Sequence, residues 1–162
     1  MSEGETPNAA VAPPGRAAPP ARAGASSRAA ALHLVAGWIT VAVFLATGLF
    51  MRLGFPGVAT PDLAHRVFFR THHLYLLAAA LVNLLAGVSL RGVGGRPRRP
   101  RLMLAASTLL LASPPLLLLG FATEHLTPTL RGEATSFGWY TLGAGTLLHL
   151  FAGRGQACRP PV

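Results

Sequence analysis

The chain of 162 residues contains no lysine, one cysteine and five carboxylates. Each shortage closes off a class of function. With Cys158 alone, neither an internal disulfide nor a cysteine-pair metal site is available, and this residue reads as a free tail thiol in "GRGQACRPPV". Glu124 and Glu133 lie too far from any paired acid for general acid–base work by two carboxylates. No phosphate loop, nucleophile elbow or dinucleotide fingerprint occurs. No dedicated metal site is expected.

All 14 basic residues are arginine, and the net charge is +9. In a soluble protein that excess would point to nucleic acid. Here half the residues are apolar and they come in long blocks, not in short periodic segments. The arginines fall between the blocks, where membrane loops carry them, so no nucleic-acid partner is expected.

Residues 1–31 are rich in Ala, Pro, Gly and Ser. They have too little apolar surface to offset chain entropy, which predicts a disordered cytoplasmic tail. The apolar run that follows is too long for the core of a cleaved signal peptide. Four blocks then approach the roughly 20 residues that cross a bilayer core: 32–52, 72–90, 102–122 and 136–153. Backbone groups in lipid must be satisfied within their own segment, so each block is expected to be a helix. The predicted fold is all-α: a four-helix transmembrane bundle, 32–153, with a disordered N-terminal tail and a short cytoplasmic tail, 154–162. Pro114 and Pro115 are expected to kink or locally unwind the third span. No internal repeat is apparent.

Arginine placement predicts orientation. Arg16, Arg22 and Arg28 precede span one, five arginines between 91 and 101 join spans two and three, and Arg154 and Arg159 follow span four. The positive-inside rule then puts both termini in the cytoplasm. A bacterial inner membrane is the expected location.

At about 100° per residue, His72, Leu76, Ala79, Ala86, Gly87 and Leu90 share a face with Asn83. Bulky aliphatics occupy the other side. The small-plus-amide stripe suits a helix–helix contact and the bulky side suits lipid. The same test puts His33 with Gly37 and Thr40 on span one, and His149 with Gly145 on span four. Asn83, Gly87, Gly37 and Gly145 are therefore expected to pack between helices. His73 falls on the flank. Arg66 and Arg70 face outward, where they can snorkel to lipid headgroups.

Histidines near both ends of a bundle are what a b-type haem protein uses, because each iron takes two neutral imidazoles from facing helices. His33 with His149, and His72 with His125, are the candidate haem ligands.

The run "FRTHHLYLLAAALVNLLAG" resembles a stretch in small four-span bacterial inner-membrane proteins that are uncharacterised. Shared features are the Arg, a His-aromatic-Leu start and an Asn-Leu-Leu-x-Gly end. The likeness covers span two and implies the architecture, not an activity. Span one, "LHLVAGWITVAVFLATGLFMRL", is similar to membrane haem-handling families that open with a histidine-led helix, although later spans lack their matching histidines. The leading functional expectation is a non-enzymatic accessory or lipid-interacting bundle, with a membrane-protein partner or a second copy of the chain. The alternatives are a b-haem or quinone-linked electron-transfer protein and a small transporter.

Overall fold

The structure, a computed structural model, describes residues 23–53, 63–92, 99–124 and 132–153. These form four helices, with no strand among the described residues: α1 (Ala23–Arg52), α2 (Leu63–Gly92), α3 (Pro100–Thr123) and α4 (Glu133–Gly153). Three of them contain stretches long and apolar enough to cross a membrane: Ser27–Arg52, Arg66–Gly92 and Pro100–Thr123. At 21 residues α4 is long enough, about 31 Å at the helical rise. Its glycines, threonines, Trp139, Tyr140 and His149 leave it outside the three that are long and apolar enough to cross.

Helix α2 starts at Leu63, ahead of the expected span 72–90, and two further features differ from the sequence expectation. Helix α1 reaches back to Ala23, into the stretch expected to be disordered. Residues 23–31 hold alanine, serine, one glycine and one arginine but no proline, so nothing breaks the helix. Ala30, moreover, is fully buried. Helix α3 runs as α-helix straight through Pro114 and Pro115 with no local unwinding. Pro100 stands in its first turn, where a missing N–H costs nothing.

Helices α1 and α2 pack closely along each other, as do α3 and α4. Helices α2 and α3 join the two pairs, and α1 and α4 make no close backbone approach among the described residues. Glycines set the tight contacts. A Cβ on Gly37 would stand 2.7 Å from Leu84 Cγ, and one on Gly87 would stand 2.6 Å from Leu34 Cγ. The contact is reciprocal because the two helices carry the same short motif, His33-Leu-Val-Ala-Gly37 and Asn83-Leu-Leu-Ala-Gly87. Each leucine fills the notch left by the other helix's glycine. In the second pair, Gly138 faces Leu117 and Gly145 faces Leu110, seven residues apart on both helices and antiparallel.

Leu76, Ala79, Ala86, Leu110, Leu117 and Leu142 form the shared core. Trp38, Leu45, Leu85, Leu104, Tyr140 and Leu147 point outward and are exposed. So much outward apolar surface would drive aggregation in water. In a bilayer it is the surface that lipid wets, and small residues inside let backbones approach.

Candidate functional site

Two polar clusters interrupt this apolar interior, one toward each end. The first starts from a proline. Pro114 has no N–H to give the carbonyl four residues earlier, Leu110 O. That carbonyl instead accepts from Ser113 Oγ at 2.9 Å and from Asn83 Nδ2 of α2 at 3.1 Å. Asn83 Nδ2 also donates to Ala79 O at 3.0 Å. Both partners are carbonyls, so the amide nitrogen must face them, and Asn83 Oδ1 is left as the acceptor for His33 Nδ1 at 2.9 Å. His33 therefore carries its proton on Nδ1. The chain Leu110, Asn83, His33 ties α3, α2 and α1 together, and both side chains are wholly buried.

His149 is held in a parallel way. Ser89 Oγ donates to Ala86 O at 2.8 Å and so accepts from His149 Nε2 at 2.9 Å. Each ring has one buried nitrogen with no partner among the described residues, His33 Nε2 and His149 Nδ1.

A pinned imidazole with a free lone pair is the ligating form of histidine. The remaining requirement for haem is room, and it is not met. His33 has no exposed surface, and α1 is locked on α2 by the leucine–glycine notches. No macrocycle can lie against Nε2 in this packing. His72 likewise has both nitrogens engaged. His125, its expected co-ligand, lies outside the described residues. His33 and His72 do not fit a haem as the helices are packed.

The second cluster is built on His72. Its Nδ1 donates to Phe68 O one turn back at 2.9 Å. Its Nε2 lies 2.7 Å from Thr135 Oγ1 on α4 and 3.4 Å from Glu124 Oε2 at the end of α3. The Thr135 hydroxyl is in turn 2.5 Å from Glu124 Oε2. Two proton arrangements satisfy every atom. In one, imidazolium donates to Thr135, which donates to carboxylate. In the other, the carboxylic acid donates to Thr135, which donates to neutral imidazole. Threonine thus links acid and base in a three-membered proton relay.

Glu124 has a structural task as well. Oε1 accepts the Thr135 backbone N–H at 3.1 Å, in the first turn of α4 where unpaired donors and the positive end of the dipole lie. Burial acts to raise the Glu124 carboxyl. The hydrogen bonds from Thr135, His72 and the Ala134 backbone together outweigh it and hold the group below its ordinary value. A side chain at Gly120 would collide with Thr135 Oγ1, and one at Gly132 with the Glu124 carboxylate.

Beside the relay a cleft of about 160 Å³ opens between α2 and α4. Phe68, Thr71, His72 and Tyr75 line one wall, and Thr135, Ser136, Trp139 and Tyr140 the other. Both sets follow helical spacing, so each wall is one stripe. Tyr75 and Trp139 meet with ring centroids 4.8 Å apart, and Phe68 lies 3.8 Å from the His72 ring.

His73, expected on the flank, is an α1–α2 contact. It is 3.0 Å from Thr47 Oγ1, stacks on Phe44 at 3.9 Å and lies over Gly48. Arg66 and Arg70 are exposed. The sequence reading set Glu124 aside and did not single out Thr135 or Ser89. The available signal was position: Glu124 ends the third block on the same side as His72. Comparison with protein-family models, curated proteins and solved structures gives no match.

Proposed function

We propose that this chain crosses a bacterial inner membrane four times with both termini in the cytoplasm, and serves as a non-enzymatic accessory protein that holds the head of an amphiphile. Helix α4 packs antiparallel along α3, with Gly138 on Leu117 and Gly145 on Leu110. A helix fastened at both depths to a membrane-spanning partner shares its depth. The modest apolarity of α4 suits a helix whose glycines and threonines face protein.

The observation that carries the functional reading is the cleft between α2 and α4. It combines aromatic walls, hydroxyls and a buried relay near the start of the apolar stretch of α2 and the end of that of α3, which in a bilayer is headgroup depth. Arg66 and Arg70 on the outer side of α2 anchor the surrounding lipid. The ligand would be handed to a membrane-protein partner or a second copy of the chain.

The test is retention. The full chain is extracted in mild detergent and its bound amphiphiles are identified by mass spectrometry. One amphiphile per chain is expected, and Ser136→Trp, which fills the cleft, should release it. A chain that retains nothing, or retains it equally in Ser136→Trp, refutes the reading. Reporter fusions at the two ends test topology, and opposite locations would refute four crossings.

A further inference from the structure

Resting on that reading, we infer that the amphiphile is a lipid-borne quinone or quinol, its single ring held between α2 and α4. Size comes first. An apolar cavity of about 150 Å³ takes one benzene ring. The cleft, at about 160 Å³, is the size of one substituted six-membered ring. A two-chain glycerophospholipid head with its backbone is larger than this.

Charge comes second. Among the described residues no arginine lines the cleft, and Arg70 lies about 200° round α2 from His72. Among those residues a phosphate would meet only His72, whose two nitrogens are already engaged, and the Glu124 carboxylate behind Thr135. A quaternary ammonium suits aromatic faces, but Glu124 is buried, with both oxygens already hydrogen-bonded. A neutral ring is left. Its two carbonyl oxygens need donors, and Thr71, Ser136, Tyr140 and the Trp139 indole bring hydroxyl and N–H groups to the walls.

Access comes third. The cleft is not enclosed, and Trp139 and Tyr140 on its α4 wall are exposed, so a ligand can reach it from outside the bundle. A ring with an isoprenoid tail can enter from that side and leave its tail in the hydrocarbon. The relay supplies a last match. A quinol's oxygens bear protons and a quinone's do not, and the Glu124–Thr135–His72 chain can shift a proton at the cleft wall without moving a heavy atom.

The experiment uses the full chain in phosphatidylcholine nanodiscs. The chain has two tryptophans, and Trp38→Phe leaves Trp139 as the only emitter. Titration with a decyl-substituted benzoquinone should quench Trp139 saturably, levelling near one ligand per chain. Thr71→Leu combined with Ser136→Leu should weaken this about tenfold, as loss of two neutral hydrogen bonds implies. Circular dichroism and thermal melting of the double variant check that it folds. Quenching that rises linearly without a plateau in the parent chain is collisional and overturns the proposal, whatever the variants do. If mass spectrometry finds a phospholipid retained in the cleft and the quinone does not displace it, the quinone assignment fails while amphiphile binding stands. If nothing is retained and nothing saturates, both fail.

Discussion

Replacing Asn83 with leucine tests the link between a proline on α3 and a histidine on α1. In the native chain Asn83 makes two bonds that leave its own helix, to Leu110 O and to His33 Nδ1. Interhelical hydrogen bonds in membrane proteins contribute roughly 0.6–2 kcal/mol each. Asn83→Leu also strands the His33 Nδ1–H, a buried donor whose loss of partner costs roughly 1–3 kcal/mol. Leu110 O keeps Ser113 Oγ, so its loss is partial. Leucine returns some packing. The net destabilisation expected is about 2–4 kcal/mol.

The assay is reversible unfolding in mixed micelles, and a second substitution makes it specific. Pro114→Ala restores an N–H that can reach Leu110 O. With Asn83 present, that donor competes for a carbonyl already served. In the Asn83→Leu chain it repairs an under-served one. Pro114→Ala should therefore be more favourable in the Asn83→Leu background, by about 1 kcal/mol of coupling in the double-mutant cycle. If Asn83→Leu costs under about 0.5 kcal/mol, or Pro114→Ala has the same effect in both backgrounds, the proline-to-histidine chain does not contribute as argued.

Two further outcomes follow from the same geometry. Gly37→Ala places a methyl 2.7 Å from Leu84 Cγ, so it should destabilise by about 1–3 kcal/mol; Leu84→Ala should recover part of that, and additivity in thermal melting would refute the notch. Glu124 titrates below its ordinary value of 4.5 when folded, so its stabilisation is fully present above that value and is lost as pH falls through the lower folded one. Melting temperature should accordingly drop on acidification below about pH 4.5. Glu124→Gln should be less stable at neutral pH and show a flatter acid slope; an unchanged slope would count against the carboxylate's role.

Much of the fold was legible because a bilayer leaves few choices. Long apolar blocks can only be helices, and the 100° advance sorts small residues from bulky ones. That is why Asn83, Gly37, Gly87 and Gly145 could be placed between helices from the sequence, and why His33 and His72 could be turned inward. What could not be read is which helix meets which. The Leu34–Gly87 and Leu84–Gly37 notches need register, and the shared motif is only five residues long with a histidine in one copy and an asparagine in the other. His72 looked like a ligand because its face was right. Its partners, Thr135 and Glu124, are 63 and 52 residues away in the chain. Nothing local marks a threonine in the first turn of α4 as the one that meets it.

The two ends of the molecule solve one physical problem in opposite ways. A polar side chain inside a bilayer must find a partner or reach water. At the end bearing His33, packing buries His33 and Asn83 completely. Asn83 takes up the carbonyl that Pro114 releases, and among the described residues the buried side-chain atoms without a partner are two imidazole nitrogens. That end is rigid and has no room for a guest. At the end bearing His72, the last turn of α3 and the first turn of α4 bring a carboxylate and a hydroxyl to the imidazole, and every polar atom of His72 has a partner. Yet α2 and α4 meet over only a short length, and this satisfied cluster stands at the edge of an open cleft. A closed end that fixes the helices and an open end with a cleft is a division that suits the proposed ligand binding. It follows that cleft variants such as Ser136→Trp should leave melting nearly unchanged while abolishing ligand retention. Asn83→Leu should lower melting first, and lose ligand only as the helices separate.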